Sequence, residues 1–172
     1  TNLGRAPLSR ETQIAMANVT DGYSNLEYDV PSGSRGSRFS HLQSIIQRLT
    51  GAEDSIVLNN NAGAILTTLA AICKDGEVVV SRGQLVEIGG GFRVPDVMSQ
   101  SGAQLKEVGT TNRTRSADYE NGITDKTKAL MRVHPSNFLI SGFTEETPLR
   151  EIVKVGHEHN LPVIDDIGSG AL

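Results

Sequence analysis

Three consecutive valines, Val78-Val79-Val80, constrain this chain more than any other stretch of its 172 residues. Successive side chains of a strand point to opposite faces, so an unalternated apolar run needs cover on both sides. A strand inside a parallel sheet flanked by helices meets that need, and the neighbouring sequence supplies both strands and helices. Strands are expected at Ser55 to Leu58, Glu77 to Val80, Gln104 to Val108, Lys128 to Val133 and Pro162 to Ile164. Helices are expected at Ala62 to Cys73, Val94 to Ser101 and Thr147 to His159, the last with Pro148 in its first turn. Before them, Leu42, Ile45, Ile46 and Leu49 fall at helical spacing and Gly51 marks the stop. The alternation gives an α/β class, a mostly parallel sheet with flanking helices.

The first forty residues differ. They are weakly periodic and rich in Gly, Ser, Asn and Arg, so residues 1–40 read as an extended arm with a short helix near Glu11 to Val19, of the kind that packs on something else. Residues 41–172 then form one domain-sized unit. The formal net charge of −4 argues against a basic surface along the whole chain, leaving local patches such as Arg35, Arg38 and Arg48 for any RNA contact. The single cysteine, Cys73, excludes an internal disulfide and a cysteine metal cluster, which suits a reducing compartment such as the cytoplasm. No run approaches the roughly 18 apolar residues of a membrane span. The chain does not begin with Met and ends in a strand plus loop, so it reads as part of a longer protein.

Two segments have the chemistry of a ligand site. Asn59-Asn60-Asn61-Ala62-Gly63 leads into a helix, placing free backbone N–H groups and small side chains where an anion is favoured. Asparagines satisfying a turn and a helix cap account for the same residues. At the far end, Asp165 and Asp166 leave the carboxyl end of a strand, where ligands of open α/β sheets bind. An aspartate capping a following turn is the alternative. Between these lies the glycine-rich stretch from Ser81 to Arg93, in which Arg82 and Glu87 either pair with each other or face a ligand. Arg35 and Arg38 offer two guanidiniums suited to an oxyanion, or are simply solvated. Of four histidines only His134, at the end of a strand and before Pro135, is placed near a site; no metal site is expected.

Together the motifs resemble one family. Thr1-Asn2-Leu3-Gly4-Arg5-Ala6, Arg35-Gly36-x-Arg38, Asn59-Asn60-Asn61-Ala62, Val79-Val80-Ser81-Arg82-Gly83-x-Leu85-Val86-Glu87-Ile88-Gly89-Gly90, Gly109-Thr110-Thr111-Asn112-Arg113-Thr114 and Asp166-x-Gly168-Ser169-Gly170 are similar in order and spacing to bacterial selenocysteine synthases, the L-seryl-tRNA(Sec) selenium transferases. The resemblance implies part of the large domain of a fold type I, aspartate-aminotransferase-like enzyme that uses pyridoxal 5′-phosphate (PLP). It further implies a cytoplasmic homo-oligomer that converts seryl-tRNA(Sec) to selenocysteyl-tRNA(Sec) with selenophosphate, through an aminoacrylyl intermediate.

Carried onto this chain, Asn61, Ala62 and Gly63 cradle the cofactor phosphate, Asn137 reaches the phenolic oxygen and Ser169 joins the cofactor site. Asp166 faces the pyridine nitrogen, with Asp165 as the fallback, and keeps that nitrogen protonated so that the ring withdraws electrons. Arg35 and Arg38 hold the oxyanion of the selenium donor. No lysine here matches the family's Schiff-base position, so the resemblance implies that this stretch alone is inactive. A related lyase acting on a small amino acid, or a non-catalytic assembly fragment, are the competing expectations.

Overall fold

The structure, a computed structural model, describes residues 7–168. They divide into two compact units, the boundary falling between Val57 and Leu58. The first holds α1 (Arg10–Thr20), the short antiparallel pair β1 (Tyr28–Asp29) and β2 (Ser34–Arg35), and α2 (Ser40–Thr50). Ser9 caps α1 by accepting the Thr12 N–H at 3.2 Å, and Gly51 ends α2 in the left-handed region with φ +75°. Neither helix buries a residue: the stripe foreseen on α2 is there, yet Leu42, Ile45 and Leu49 are all exposed.

The second unit runs α3 (Asn61–Ile72), β3 (Glu77–Ser81), β4 (Glu87–Ile88), β5 (Phe92–Arg93), α4 (Val94–Ser101), β6 (Gln104–Val108), α5 (Ser116–Gly122), β7 (Thr127–Val133), α6 (Leu149–Glu158) and β8 (Val163–Asp166). Strands β6, β3, β7 and β8 lie in that order in one wholly parallel sheet, while β4 and β5 form a small hairpin beside it. The valine run sits in β3, between two neighbours, and all three valines are fully buried.

Strand alternation assigns the two faces. Val78 and Val80 join Ala129, Met131, Val133 and Ile164 beneath α3 and α4, packing with Ile65 and Leu69 of α3, Cys73 just past its end, and Val94 and Met98 of α4. Val79 and Leu130 point the other way, to Tyr119 of α5 and to Ile152 and Val155 of α6. Helices therefore cover both faces, as the sequence requires. The chain leaves β3 for β6 through α4, on the side that α3 also covers, then returns past β3 to β7 through α5 and on to β8 through α6, on the other side. The order of the sheet thus reverses between β3 and β7, the kind of place where α/β proteins open a binding crevice.

Two expectations need correction. Ser55 to Leu58 is not a strand: no ladder partner faces it among the described residues, and Ile56, Val57 and Leu58 remain 58, 51 and 38% exposed. Its composition suits a strand, but a strand exists only through the neighbour that accepts and donates its hydrogen bonds. Arg82 and Glu87 do not pair either. Arg82 bonds Glu107 at 2.9 Å and Glu87 bonds Arg93 at 2.6 Å, because the hairpin register sets Glu87 opposite Arg93. No described helix is long and apolar enough to cross a membrane.

Candidate active site

The parallel sheet delivers Asp166 as the last residue of β8, on the same face as Ile164 and hence on the side of α3. Its side chain is almost wholly buried, at 5% exposure. Oδ1 accepts two hydrogen bonds of 2.9 Å, from Asn61 Nδ2 at the start of α3 and from the Gly168 N–H two residues on. Among the described residues no group bonds Oδ2, and no cation pairs with the carboxylate. The turn-capping role read as an alternative is thus real, and it occupies only one of the two oxygens.

Asp165 goes elsewhere. Pointing to the opposite face, it receives Arg132 in a two-point grip, Nε to Oδ1 at 2.7 Å and Nη2 to Oδ2 at 2.9 Å. β7 and β8 pair with Arg132 directly beside Asp165, which brings the two side chains together. The neighbouring aspartates thus have different partners: Asp165 is tied into an ion pair on the α5 and α6 face of the sheet, and Asp166 faces α3.

At the start of α3 the three asparagines divide their tasks. Asn60 is the cap, its Oδ1 accepting the Gly63 N–H at 2.7 Å, so the backbone donor expected of Gly63 is already engaged. The N–H groups of Asn61 and Ala62 have no acceptor among the described residues. Gly63 leaves space: a Cβ there would meet only the side-chain oxygens of Asn60 and Asn59, at 3.4 and 3.6 Å. Two outward N–H groups, a helix dipole and small side chains fit a phosphate, and a buried carboxylate with one uncommitted oxygen fits a protonated ring nitrogen.

The loops after β7 and β8 close together. His134 N donates to the Asp166 carbonyl at 2.9 Å, and a Cβ on Gly168, whose φ is +60°, would stand 3.2 Å from Ser136 Oγ. Asn137 lies next to this contact, exposed, its backbone N–H turned to the Pro135 carbonyl at 2.7 Å. Asn61, Gly168, Asp166 and Ser136 are therefore brought together, with Asn137 one residue away. Ser169 lies outside the described residues.

Along its whole described length the chain matches known proteins. The family model for L-seryl-tRNA selenium transferase (SelA) covers residues 1–172. The chain belongs to this family. An L-seryl-tRNA(Sec) selenium transferase from Nitratidesulfovibrio vulgaris is 57% identical over 171 residues, covering 99% of this chain and 36% of the relative, so the chain spans about a third of that protein's length. Among solved structures, a D-glucosaminate-6-phosphate ammonia-lyase superposes with a TM-score of 0.76 at 23% identity, covering 98% of this chain and 46% of that one. An aminotransferase from Psychrobacter cryohalolentis does so with 0.61 at 19% identity, over 96% and 39%. The selenium-transferase family chain thus has the expected aminotransferase-like, fold type I architecture.

Other residues of this SelA-family chain make no direct hydrogen bond to Asp166 among the described residues. Arg35 and Arg38 belong to the first unit, where both converge on Glu27, Arg35 at 3.5 Å. Gln84, 93% buried, was not singled out by sequence; its Oε1 accepts the Val133 N–H at 3.0 Å and its Nε2 donates to Glu146 at 2.8 Å. It lines a cavity of about 140 Å³ at the carboxyl end of the sheet, with Arg113, Thr114, Leu139 and Glu145. Arg113 lies 4.3 Å above the Phe143 ring and joins Arg115 on Glu145. Those arginines hold the Glu145 carboxyl below its ordinary range. A glutamine between two glycine-rich motifs carries no periodic signal. Arg132 does carry one: opposite charges interrupt two apolar parallel strands at matching depth. No group of three metal-ligating side chains forms among the described residues.

Proposed function

We propose that this chain is part of the PLP-binding large domain of an enzyme that converts seryl-tRNA(Sec) to selenocysteyl-tRNA(Sec) with selenophosphate, working in the cytoplasm as a homo-oligomer. The observation that carries the cofactor reading is the Asp166 carboxylate, buried at a strand end beside the free N–H groups of α3, with one oxygen uncommitted. PLP bound there supplies an electron sink that makes the α-proton of the seryl group removable. The chain's own residues hold and orient. Asn61 and Ala62 direct backbone N–H groups at the phosphate, and Asp166, fixed by two donors, presents its second oxygen to the ring nitrogen. Asn137 reaches the phenolic oxygen, Ser169 adds to the cofactor site, and Arg35 and Arg38 receive the oxyanion of the selenium donor.

The test uses the full-length protein that contains this sequence. Purified protein is expected to carry a borohydride-sensitive imine chromophore and to form selenocysteyl-tRNA(Sec) from seryl-tRNA(Sec) and selenophosphate. Asp166→Asn is expected to lower turnover by at least a hundredfold while leaving the fold intact. Turnover of free small amino acids without tRNA would replace the transferase reading with a lyase, whereas full activity in the Asp166 variant would remove Asp166 from the chemistry.

A further inference from the structure

We infer that the Asn61 side chain is a positioning residue for Asp166 and not a ligand of the cofactor phosphate. This rests on the PLP reading above, and it gives the side chain and the backbone of one residue different work. The Asn61 amide nitrogen lies 2.9 Å from Asp166 Oδ1, joining the first residue of α3 to the last of β8 across 105 positions of sequence. One of the two protons of that amide is committed to the carboxylate, which fixes the side chain toward β8, while the backbone N–H groups of Asn61 and Ala62 stay free for a phosphate among the described residues.

The second donor on Oδ1 is the backbone of Gly168, which follows the turn wherever the loop goes. Among the described residues Asn61 alone ties the carboxylate to a rigid element, a twelve-residue helix packed on the sheet through Ile65 and Leu69. Without it, Asp166 keeps its burial but loses the contact that fixes its torsion, and Oδ1 and Oδ2 become interchangeable in direction. A carboxylate that wanders by a fraction of an ångström aims poorly at a ring nitrogen. The helix start itself does not depend on Asn61, because Asn60 provides the cap.

The experiment measures binding to the full-length apoprotein by equilibrium dialysis, with PLP and with pyridoxal, which lacks the phosphate. Asn61→Ala is expected to weaken both by the same factor, roughly tenfold, the size of one hydrogen bond to a charged group. In an Asp166→Ala background the same change is expected to have no further effect on pyridoxal. Asn61→Ser, too short to span the gap, serves in place of Ala if that variant does not fold. A loss confined to PLP would assign the side chain to the phosphate and overturn the inference, as would an equal loss with and without Asp166. Wild-type protein that binds neither compound would instead sink the cofactor reading on which the inference stands.

Discussion

A Cβ built on Gly156 of α6 would lie 2.7 Å from Val163 Cγ2 and 2.9 Å from the Leu161 carbonyl oxygen. The helix can approach β8 this closely only because that position has no side chain. The Leu161 N–H then bonds the Gly156 carbonyl at 2.8 Å, closing the turn that leads into the strand. Gly156→Ala is expected to destabilise the chain by about 1–3 kcal/mol, the usual cost of overpacking, because one of the two close atoms is backbone and cannot turn aside. Urea unfolding of wild type and variant checks it.

Tyr119 is 1% exposed, and its hydroxyl donates to the Met131 carbonyl at 3.3 Å, beneath α5. Burial holds the phenol well above its ordinary value of 10.0. The folded chain therefore keeps this proton at a pH where the unfolded chain has lost it. Stability from this group is complete below pH 10 and declines as pH rises beyond it. Tyr119→Phe is expected to lower stability by about 1 kcal/mol at neutral pH. The variant should also show a shallower loss between pH 9 and 11, measured as urea midpoints.

Breaking the ion pair between Arg132 and Asp165 is expected to cost stability and not cofactor affinity. Their side chains are 30 and 24% exposed, between a surface pair and a buried one, so Asp165→Asn should cost about 1–3 kcal/mol. PLP binding by the full-length variant should stay within twofold of wild type. A large loss of binding with unchanged stability would contradict the assignment of the two aspartates.

Glu145 receives Arg113 and Arg115 and is held below the usual carboxylate range of 4.5 by them. A depressed folded-state value means that the clasp is present at neutral pH and is lost as pH falls through that lowered value. Carboxyl NMR titration should place the Glu145 transition below those of unpaired glutamates. Glu145→Gln should free the Phe143 ring from the guanidinium of Arg113 above it.

Most of the sheet was legible because its signals are local. Val78-Val79-Val80 demanded a doubly covered strand, and Gly102 stopped α4 in the left-handed region where sequence placed its end. The helix α6 begins at Leu149, with Pro148 just outside as its cap residue. What escaped depends on neighbours far along the chain. The seven residues of α5, Ser-Ala-Asp-Tyr-Glu-Asn-Gly, are too short and polar for a period to emerge, and only Tyr119 and Gly122 are buried. Ser55 to Leu58 spelled a strand but met no partner in the described residues. At the site, the charges and helix start were visible, whereas the commitment of Arg132 to Asp165 follows from the register of β7 on β8, and that of Asn61 to Asp166 from the packing of α3 on the sheet, neither of which a single segment encodes.

The adjacency of Asp165 and Asp166 has a consequence for folding fidelity. Two identical side chains one residue apart make β8 nearly ambiguous: sliding it by a single position would exchange their faces and still present an aspartate toward α3. Apolar packing breaks part of this degeneracy through Ile164, and the fork of Arg132 opposes the slip that would carry Asp165 into the place of Asp166, because that slip sets Ile164 beside the guanidinium. The ion pair on the far side of the sheet thereby acts as a one-way stop on strand alignment, favouring the register in which Asp166 is the acid that faces α3.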